Sequence, residues 1–168
     1  MKCFESFFRV AAVAVALAAV ITVAAEAGAQ SSAAAQRTID ILTDGSRSTA
    51  DRANAARDLA VLAKDSDAAS QALIGVLGSD PDPAVRAAAA RALGHQAFPS
   101  AAPIQAAVQA LSSDTSAEVR LAAVQALNIL AVDSASGTAA LQNSAANDPD
   151  PGVRRAAQSV YARLTSSG

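Results

Sequence analysis

Three stretches of the chain repeat one pattern: DPDPAVRAAAARALG from Asp80, DTSAEVRLAAVQALN from Asp114 and DPDPGVRRAAQSVYA from Asp148. Successive copies begin 34 residues apart, and a degenerate copy, SRSTADRANAARDLA, begins 34 residues upstream at Ser46. Self-similarity at a fixed period of about 20 to 50 residues is typical of stacked repeat architectures. The pattern therefore predicts a stack of like units, each leaning on the next.

Each copy has the pattern of a helix with one apolar side. In the copy at Asp80, Asp82 takes the N-cap position, Pro83 the first helical position and Gly94 the end, and these residue types are favoured at those places. Between them, apolar residues recur at the three- and four-residue spacing of a single buried helix face. They are Val85, Ala88, Ala89, Ala92 and Leu93, with Val119 to Leu127 and Val153 to Tyr161 as their counterparts.

A second, shorter apolar segment precedes each copy, so the predicted unit is a helical hairpin. The four segments are Ile39–Leu42, Ala69–Leu77, Pro103–Leu111 and Thr138–Ala146. Four hairpins are expected, over approximately residues 36–63, 68–94, 101–131 and 137–165. The composition agrees with an all-α chain, since 52% of the residues are hydrophobic and only 3% are aromatic.

The degenerate first copy carries polar residues where the others are apolar, namely Asp51, Asn54 and Asp58. A terminal repeat has one neighbour instead of two, so its outer face can contact water. We therefore interpret this copy as a cap. In the middle copies, Leu93→Ala or Leu127→Ala is expected to cost about 2 to 5 kcal/mol, and Leu59→Ala less, because the first copy is wetter.

The motif D-x-[DS]-x-x-V-R-x-x-A-x-x-A-L resembles the HEAT repeat family, in particular the short bacterial HEAT-like repeats also found in phycobilisome lyase subunits. The match is close over residues 80–93 and 114–127, looser over 148–161 and poor over 46–59. The resemblance implies an all-α fold, a right-handed α-solenoid of about four HEAT-like hairpins. It also implies a scaffold that binds other proteins, without naming the partner.

Charged residues recur at the same period and form a predicted ladder. Arginines stand at 52, 86, 120 and 154, and aspartates at 80, 114 and 148, so each arginine is expected to have a periodic acidic partner. As the family resemblance implies, we interpret the ladder as a network between repeats in the turns rather than as an anion site. Its members are Asp80, Arg86, Asp114, Arg120, Asp148 and Arg154.

The second helix of each hairpin has another stripe, at positions 50, 53 and 57 and their counterparts, which we predict to face outward. In the HEAT family this helix usually lines the concave face. Most of the stripe is small residues, and arginines and exposed aliphatic side chains suit interface anchors. The proposed partner-binding residues are its long side chains: Arg57, Arg91, Glu118, Leu121, Gln125 and Arg155.

Residues 1–29 have the layout of a secretory signal peptide. Lys2 and Arg9 precede a charge-free, mainly apolar run over 10–25, and small residues then suit cleavage after Ala27 or Ala29. We expect an exported protein, periplasmic or secreted, with residues 30–168 as the repeat domain. The alternative is an uncleaved N-terminal anchor. Cys3, the only cysteine, lies in this leader, so the mature chain is expected to have no thiol.

The sequence offers no catalytic or cofactor-binding motif, and we predict no enzyme, no metal and no cofactor. His95 is the only histidine and lies at a helix end, where it is expected to cap carbonyls or face water. A net charge of −2 without a basic stripe argues against nucleic-acid binding.

Two alternatives to a protein-binding scaffold stay open. One is a self-assembling subunit, based on apolar Val160 and Tyr161 at an open end, and the other is an accessory subunit of a lyase-like, cofactor-handling enzyme.

Overall fold

A computed structural model describes residues 30–62, 66–95, 101–131 and 134–166. The predicted signal peptide, with its cleavage sites after Ala27 or Ala29, lies outside the described residues, as does Cys3. The chain divides into two compact units, residues 1–34 and 35–168. Of the first unit, the described residues 30–34 are helical. The repeats lie in the second unit.

The second unit is built from helices throughout its described residues, and it contains no strand there. The helices form four antiparallel hairpins, each with a turn of three to five residues between its two helices, which confirms the predicted all-α stack of hairpins. In chain order they are α1 (35–43), α2 (Thr49–Leu62), α3 (Asp67–Ser79), α4 (Pro83–Leu93), α5 (Ala101–Ser113), α6 (Ala117–Leu130), α7 (Ala135–Asn147) and α8 (Pro151–Ser166).

The second helix of each hairpin begins where its sequence predicts. Asp82 is the N-cap of α4 and accepts the Ala84 N–H at 2.8 Å, with Pro83 at the first helical position. In α8, Asp150 accepts two backbone N–H groups, at 2.8 and 2.9 Å. These carboxylates satisfy backbone donors that have no partner within the helix.

Two of the first helices, α3 and α7, begin earlier than predicted, because their N-cap residues lie before the apolar segments. Ser66 accepts the Ala69 N–H at 3.3 Å, so that α3 begins at Asp67 instead of Ala69. Ser134 accepts the Gly137 N–H at 3.2 Å and α7 begins at Ala135 instead of Thr138. A serine hydroxyl in this position stabilises the first turn independently of any hydrophobic pattern.

The core is one continuous cluster that runs through all four hairpins. Val85, Val119 and Val153 occupy equivalent positions in it, with 0%, 0% and 1% of their surface exposed. Like helices pack on like, since α2, α4, α6 and α8 contact one another in series and α3, α5 and α7 do the same. Each repeat therefore buries its apolar residues against both its own hairpin partner and the adjacent repeat.

We interpret the first copy as a cap with an exposed outer face. Its polar positions confirm this interpretation, but the prediction that Leu59 contributes less to stability needs correction. Asp51, Asn54 and Asp58 are exposed. Leu59, however, is completely buried, as are Leu93 and Leu127. The expected smaller cost of Leu59→Ala therefore loses its reason, because the wet face of α2 does not include this side chain.

Gly94 ends α4, but not through the left-handed backbone that glycine often adopts at helix ends. Its φ and ψ are −62° and −19°, which any residue can adopt. A Cβ atom at this position would lie 3.0 Å from the Cα atom of Ala126 in α6. Glycine therefore lets the end of α4 approach the backbone of the next repeat more closely than a residue with a side chain would without a shift of that backbone.

Candidate functional site

The charged ladder forms three ion pairs, each of which joins one repeat to the next. The Arg52 guanidinium donates through Nε and Nη2 to the two carboxylate oxygens of Asp80, both at 3.0 Å. Arg86 does the same to Asp114 at 2.8 and 2.9 Å. Arg120 pairs with Asp148 at 2.8 and 3.0 Å. Two parallel N–H···O bonds per pair are the strongest arrangement that arginine and carboxylate can form.

Each ladder aspartate also organises its own turn. Asp114 Oδ1 accepts the N–H of Ser116 at 2.8 Å, which closes the turn before α6. Its backbone carbonyl accepts Nη1 of Arg120 at 2.9 Å. One turn is thereby bonded to the arginine of the preceding repeat through its side chain and to the arginine of its own repeat through its backbone.

The ladder pairs are largely buried. The exposed fractions of the two side chains are 7% and 7% for Arg52–Asp80, 14% and 9% for Arg86–Asp114, and 10% and 3% for Arg120–Asp148. Desolvation raises the pKa of Asp148, but the hydrogen bonds from Arg120 and from the Asp150 N–H outweigh it, and the net pKa lies below the ordinary aspartate value. The same balance holds for the pKa of Asp114, with Arg86 and Ser116 as donors.

Arg154 departs from the predicted ladder. Its Nη1 donates to the carbonyls of Asp148 and Pro149 at 2.7 and 3.0 Å, as the other arginines bond their own turns. No described aspartate accepts from its Nε and Nη2. The expectation that every arginine has an acidic partner is wrong here, because no described repeat follows α8.

The second-helix stripe is only partly outward. Ala53 and Ala87, which we predicted to face outward, are 5% and 0% exposed, and Leu121 at the same repeat position is half-buried. These side chains lie between adjacent second helices, an effect of stacking that a single helix pattern does not contain. The other stripe residues are exposed or half-buried: Arg57, Arg91, Glu118, Gln125 and Arg155.

Arg91 connects the stripe across two repeats. Its Nη2 lies 3.6 Å from Glu118 Oε1 and its Nε donates to Gln125 Oε1 at 3.2 Å. Arg57 instead donates to Asn54 on its own helix, at 2.6 Å. Exposed contacts of this kind contribute little to stability, so these side chains are available to a partner.

The profile of the family described as HEAT repeats matches the chain twice, over residues 35–128 and 71–162. The two matches overlap and together span residues 35–162, which include the first three hairpins and most of the fourth. The chain belongs to the HEAT repeat family. No curated protein and no solved structure matches it significantly. HEAT repeats commonly mediate protein–protein contacts, which agrees with a surface made of stacked helices rather than of an enclosed cavity.

A groove on the HEAT surface lies at the C-terminal ends of α2 and α4 and has a volume of about 670 Å³. We call it the α2–α4 groove. Four of its lining residues are apolar, namely Ala60, Val61, Ala88 and Ala92, and the other three are Arg57, Arg91 and His95. Val61 has 78% of its surface exposed, the largest exposed fraction among the large hydrophobic side chains that the structure describes.

Sequence reasoning found the two arginines of the α2–α4 groove and missed its other residues. His95 is exposed, as expected, and its backbone N–H donates to the Ala92 carbonyl at 3.0 Å, but its position beside Arg91 was not anticipated. Val61 lies outside the repeated motif. The signal that could have found it is an aliphatic residue in the last turn of a helix whose apolar positions are already filled.

The part of the chain that the structure describes contains no group of three or more acidic, histidine or cysteine side chains placed to hold a metal ion. Among the same residues, none of the helices combines the length and the apolar character that a membrane span needs.

Proposed function

We propose that this HEAT repeat chain is an exported protein-binding module and that the α2–α4 groove receives a peptide segment of the partner. The observation that carries the proposal is that one groove is lined by an exposed aliphatic side chain, Val61, and by two arginines, Arg57 and Arg91. Arginine is enriched at protein interfaces and at their hot spots, and the exposed apolar surface of Val61 gains free energy when a partner removes it from water.

The chemistry of the groove favours a segment that offers one aliphatic side chain and one carboxylate. The aliphatic group would lie on Ala60, Val61 and Ala92, and the carboxylate would bond Arg57 or Arg91. The chain carries 13 basic and 15 acidic side chains, so a groove with two arginines stands out against a net negative molecule. Such charge complementarity selects partners and accelerates their encounter more than it adds affinity.

The stripe extends the same surface along the stack. Glu118 and Gln125 on α6 already bond Arg91, and Leu121 and Arg155 continue the line toward the C-terminal repeat. A partner longer than one groove could therefore follow the second helices from α2 to α8. The proposal gives the chain no catalytic role and no cofactor.

A random-sequence peptide library displayed on phage tests this directly. We expect selected peptides to share an aliphatic residue near an acidic one. We expect Val61→Ser and the double change Arg57→Ala with Arg91→Ala each to weaken their binding about tenfold or more, as for removal of an anchor side chain. Arg37→Ala is the matched control, because Arg37 is an exposed arginine on α1, away from the groove. Peptides that bind all these variants equally would contradict the assignment of the groove.

Export is a separate part of the proposal and rests on the layout of residues 1–29. Expression of the full chain in a bacterium, followed by mass spectrometry of the purified protein, tests it. A new N-terminus at Gly28 or Gln30 in the periplasmic or secreted fraction is the expected result. Full-length protein retained in the cytoplasm would contradict it, and full-length protein in the membrane fraction would indicate the uncleaved anchor.

A further inference from the structure

The C-terminal end of the stack presents an arginine that is oriented but not used. Arg154 Nη1 is fixed by the carbonyls of Asp148 and Pro149, at 2.7 and 3.0 Å. The equivalent nitrogen of Arg120 bonds Asp114 and Thr115 in the same way, at 2.9 and 3.2 Å. In Arg120 the other two nitrogens hold the next repeat, whereas in Arg154 no described residue accepts from them.

The N-terminal end presents the matching carboxylate. Asp44 Oδ1 accepts the N–H of Ser46 at 2.9 Å, as Asp80 Oδ1 accepts the N–H of Asp82 at the same distance. Asp44 is therefore the counterpart of the ladder aspartates, with a turn two residues longer before its helix. Among the described residues it meets one arginine, Arg47 of its own turn, with Nε 3.4 Å from Oδ2, and 42% of its side chain is exposed.

Burial changes identify the two faces of the stack that no described repeat covers. Val85 and Ala88 of α4 are 0% and 1% exposed, but the residues one repeat earlier, Asp51 and Asn54, are exposed. We call this surface of α2, with Asp44, the head face. It also carries Asp58, the counterpart of Ala92.

The opposite face of the stack lies on α8. Ala90 and Val124 are 0% and 1% exposed, whereas Gln158 at the same repeat position is exposed. Arg155, the counterpart of Ala87, is exposed as well. We call this surface, with Arg154, the tail face. Val160 and Tyr161, which the sequence placed at an open end, are half-buried against the core instead.

We propose that the tail face of one molecule binds the head face of a second copy, so that the ladder continues from chain to chain. Nε and Nη2 of Arg154 donate to the Asp44 carboxylate of the second copy, as those of Arg120 donate to Asp148. Arg155 on the tail face then lies opposite Asp51 and Asp58 on the head face. Because the two faces differ, the contact is heterologous and gives open arrays or rings rather than closed dimers. Both faces are polar, so the association is weak and salt-dependent.

A charge-swap experiment tests the pairing. Sedimentation of the purified protein over a concentration series should show masses that rise past the dimer at about 20 mM salt and fall to the monomer at about 500 mM. Arg154→Asp and Asp44→Arg should each abolish the rise. An equal mixture of the two variants should restore it, because every contact in an alternating array is again between opposite charges.

Circular dichroism of each variant reports whether it folds. If Arg154→Asp unfolds, Arg154→Gln replaces it in the test, because glutamine cannot form the two parallel bonds to the carboxylate and should weaken association about tenfold. A strict monomer at low salt, a mass that stops at the dimer, or association that neither variant changes would each overturn the proposal. Peptide binding in the α2–α4 groove is unaffected by changes at Arg154 or Asp44, so the two proposals fail separately.

Discussion

Helices α4 and α8 carry nearly the same sequence motif and have very different surroundings. Seven of the 11 residues of α4 are buried, but only two of the 16 residues of α8. The difference follows from position, since α4 is covered by α2 on one side and by α6 on the other, while among the described helices α8 packs mainly on α6 and α7. In a repeat stack, the number of neighbours decides what a given side chain contributes.

The comparison extends from apolar packing to the charged ladder. Inner arginines each join two repeats, and the last one bonds only its own turn. Substitutions at equivalent positions of inner and terminal repeats should therefore differ in cost, although the residue removed is the same. Substitutions in the ladder and in the leucine core compare inner and terminal repeats directly, and a glycine pair and an acid titration refine the account of the inner ones.

The largest effect is expected from the ladder. Arg120→Ala leaves the Asp148 carboxylate, 3% exposed, without its guanidinium, and loss of one partner of a buried pair costs about 3 to 5 kcal/mol. Arg154→Ala at the end of the stack removes only bonds to backbone carbonyls and should cost about 1 kcal/mol. Urea unfolding of both variants measures the difference. Equal losses would mean that the inner pair contributes no more than the local bonds.

The second-largest loss of stability is expected from removal of a core leucine side chain. Leu127→Ala removes a completely buried side chain of α6 and is expected to cost about 2 to 5 kcal/mol. Leu59→Ala should cost a similar amount, because Leu59 is equally buried. Leu164 of α8 is half-buried, and Leu164→Ala should lower stability by less than half as much. A cost at Leu164 equal to that at Leu127 would show that burial does not set the contribution.

Replacement of glycine by alanine is expected to change stability in opposite directions at two sites. Gly94→Ala places a Cβ atom 3.0 Å from the backbone of Ala126 in the next repeat, and forced repacking of this kind costs about 1 to 3 kcal/mol. Gly75 lies in α3 with nothing within 4 Å of the same atom, so Gly75→Ala should stabilise by about 0.5 to 1 kcal/mol through helix propensity. Thermal melting of both variants checks the signs.

The smallest and most gradual loss of stability is expected when the pH is lowered. The pKa values of Asp114 and Asp148 are lowered in the folded chain, so the unfolded chain binds protons first as the pH falls. Their contribution to stability is present above the unfolded aspartate pKa and should be lost progressively from about pH 5 downward. Urea midpoints from pH 6 to pH 3 measure this, and Asp148→Asn should be less stable at pH 6 and should show a smaller pH dependence.

The sequence predicted the second helices closely, because Asp82, Pro83 and the periodic valines are local signals. Helices α3 and α7 began earlier than predicted, since Ser66 and Ser134 act through a backbone bond that hydrophobic spacing does not record. The burial of Ala53 and Ala87 and the close packing around Gly94 could not be derived, because both depend on how closely consecutive second helices approach. Of the residues that line the α2–α4 groove, the sequence predicted only Arg57 and Arg91, because the groove forms between two consecutive second helices.

The constant sequence separation within each ladder pair has an evolutionary consequence. Every pair joins residues 28 positions apart (52 and 80, 86 and 114, 120 and 148), while the period is 34. Deletion or duplication of one 34-residue segment removes or adds one arginine together with one aspartate, and the arginine before the junction meets another aspartate at the same distance. A gene for such a protein can lengthen or shorten by unequal recombination without leaving an interior charge unmatched, and the chain length is then free to be selected by what the protein must span.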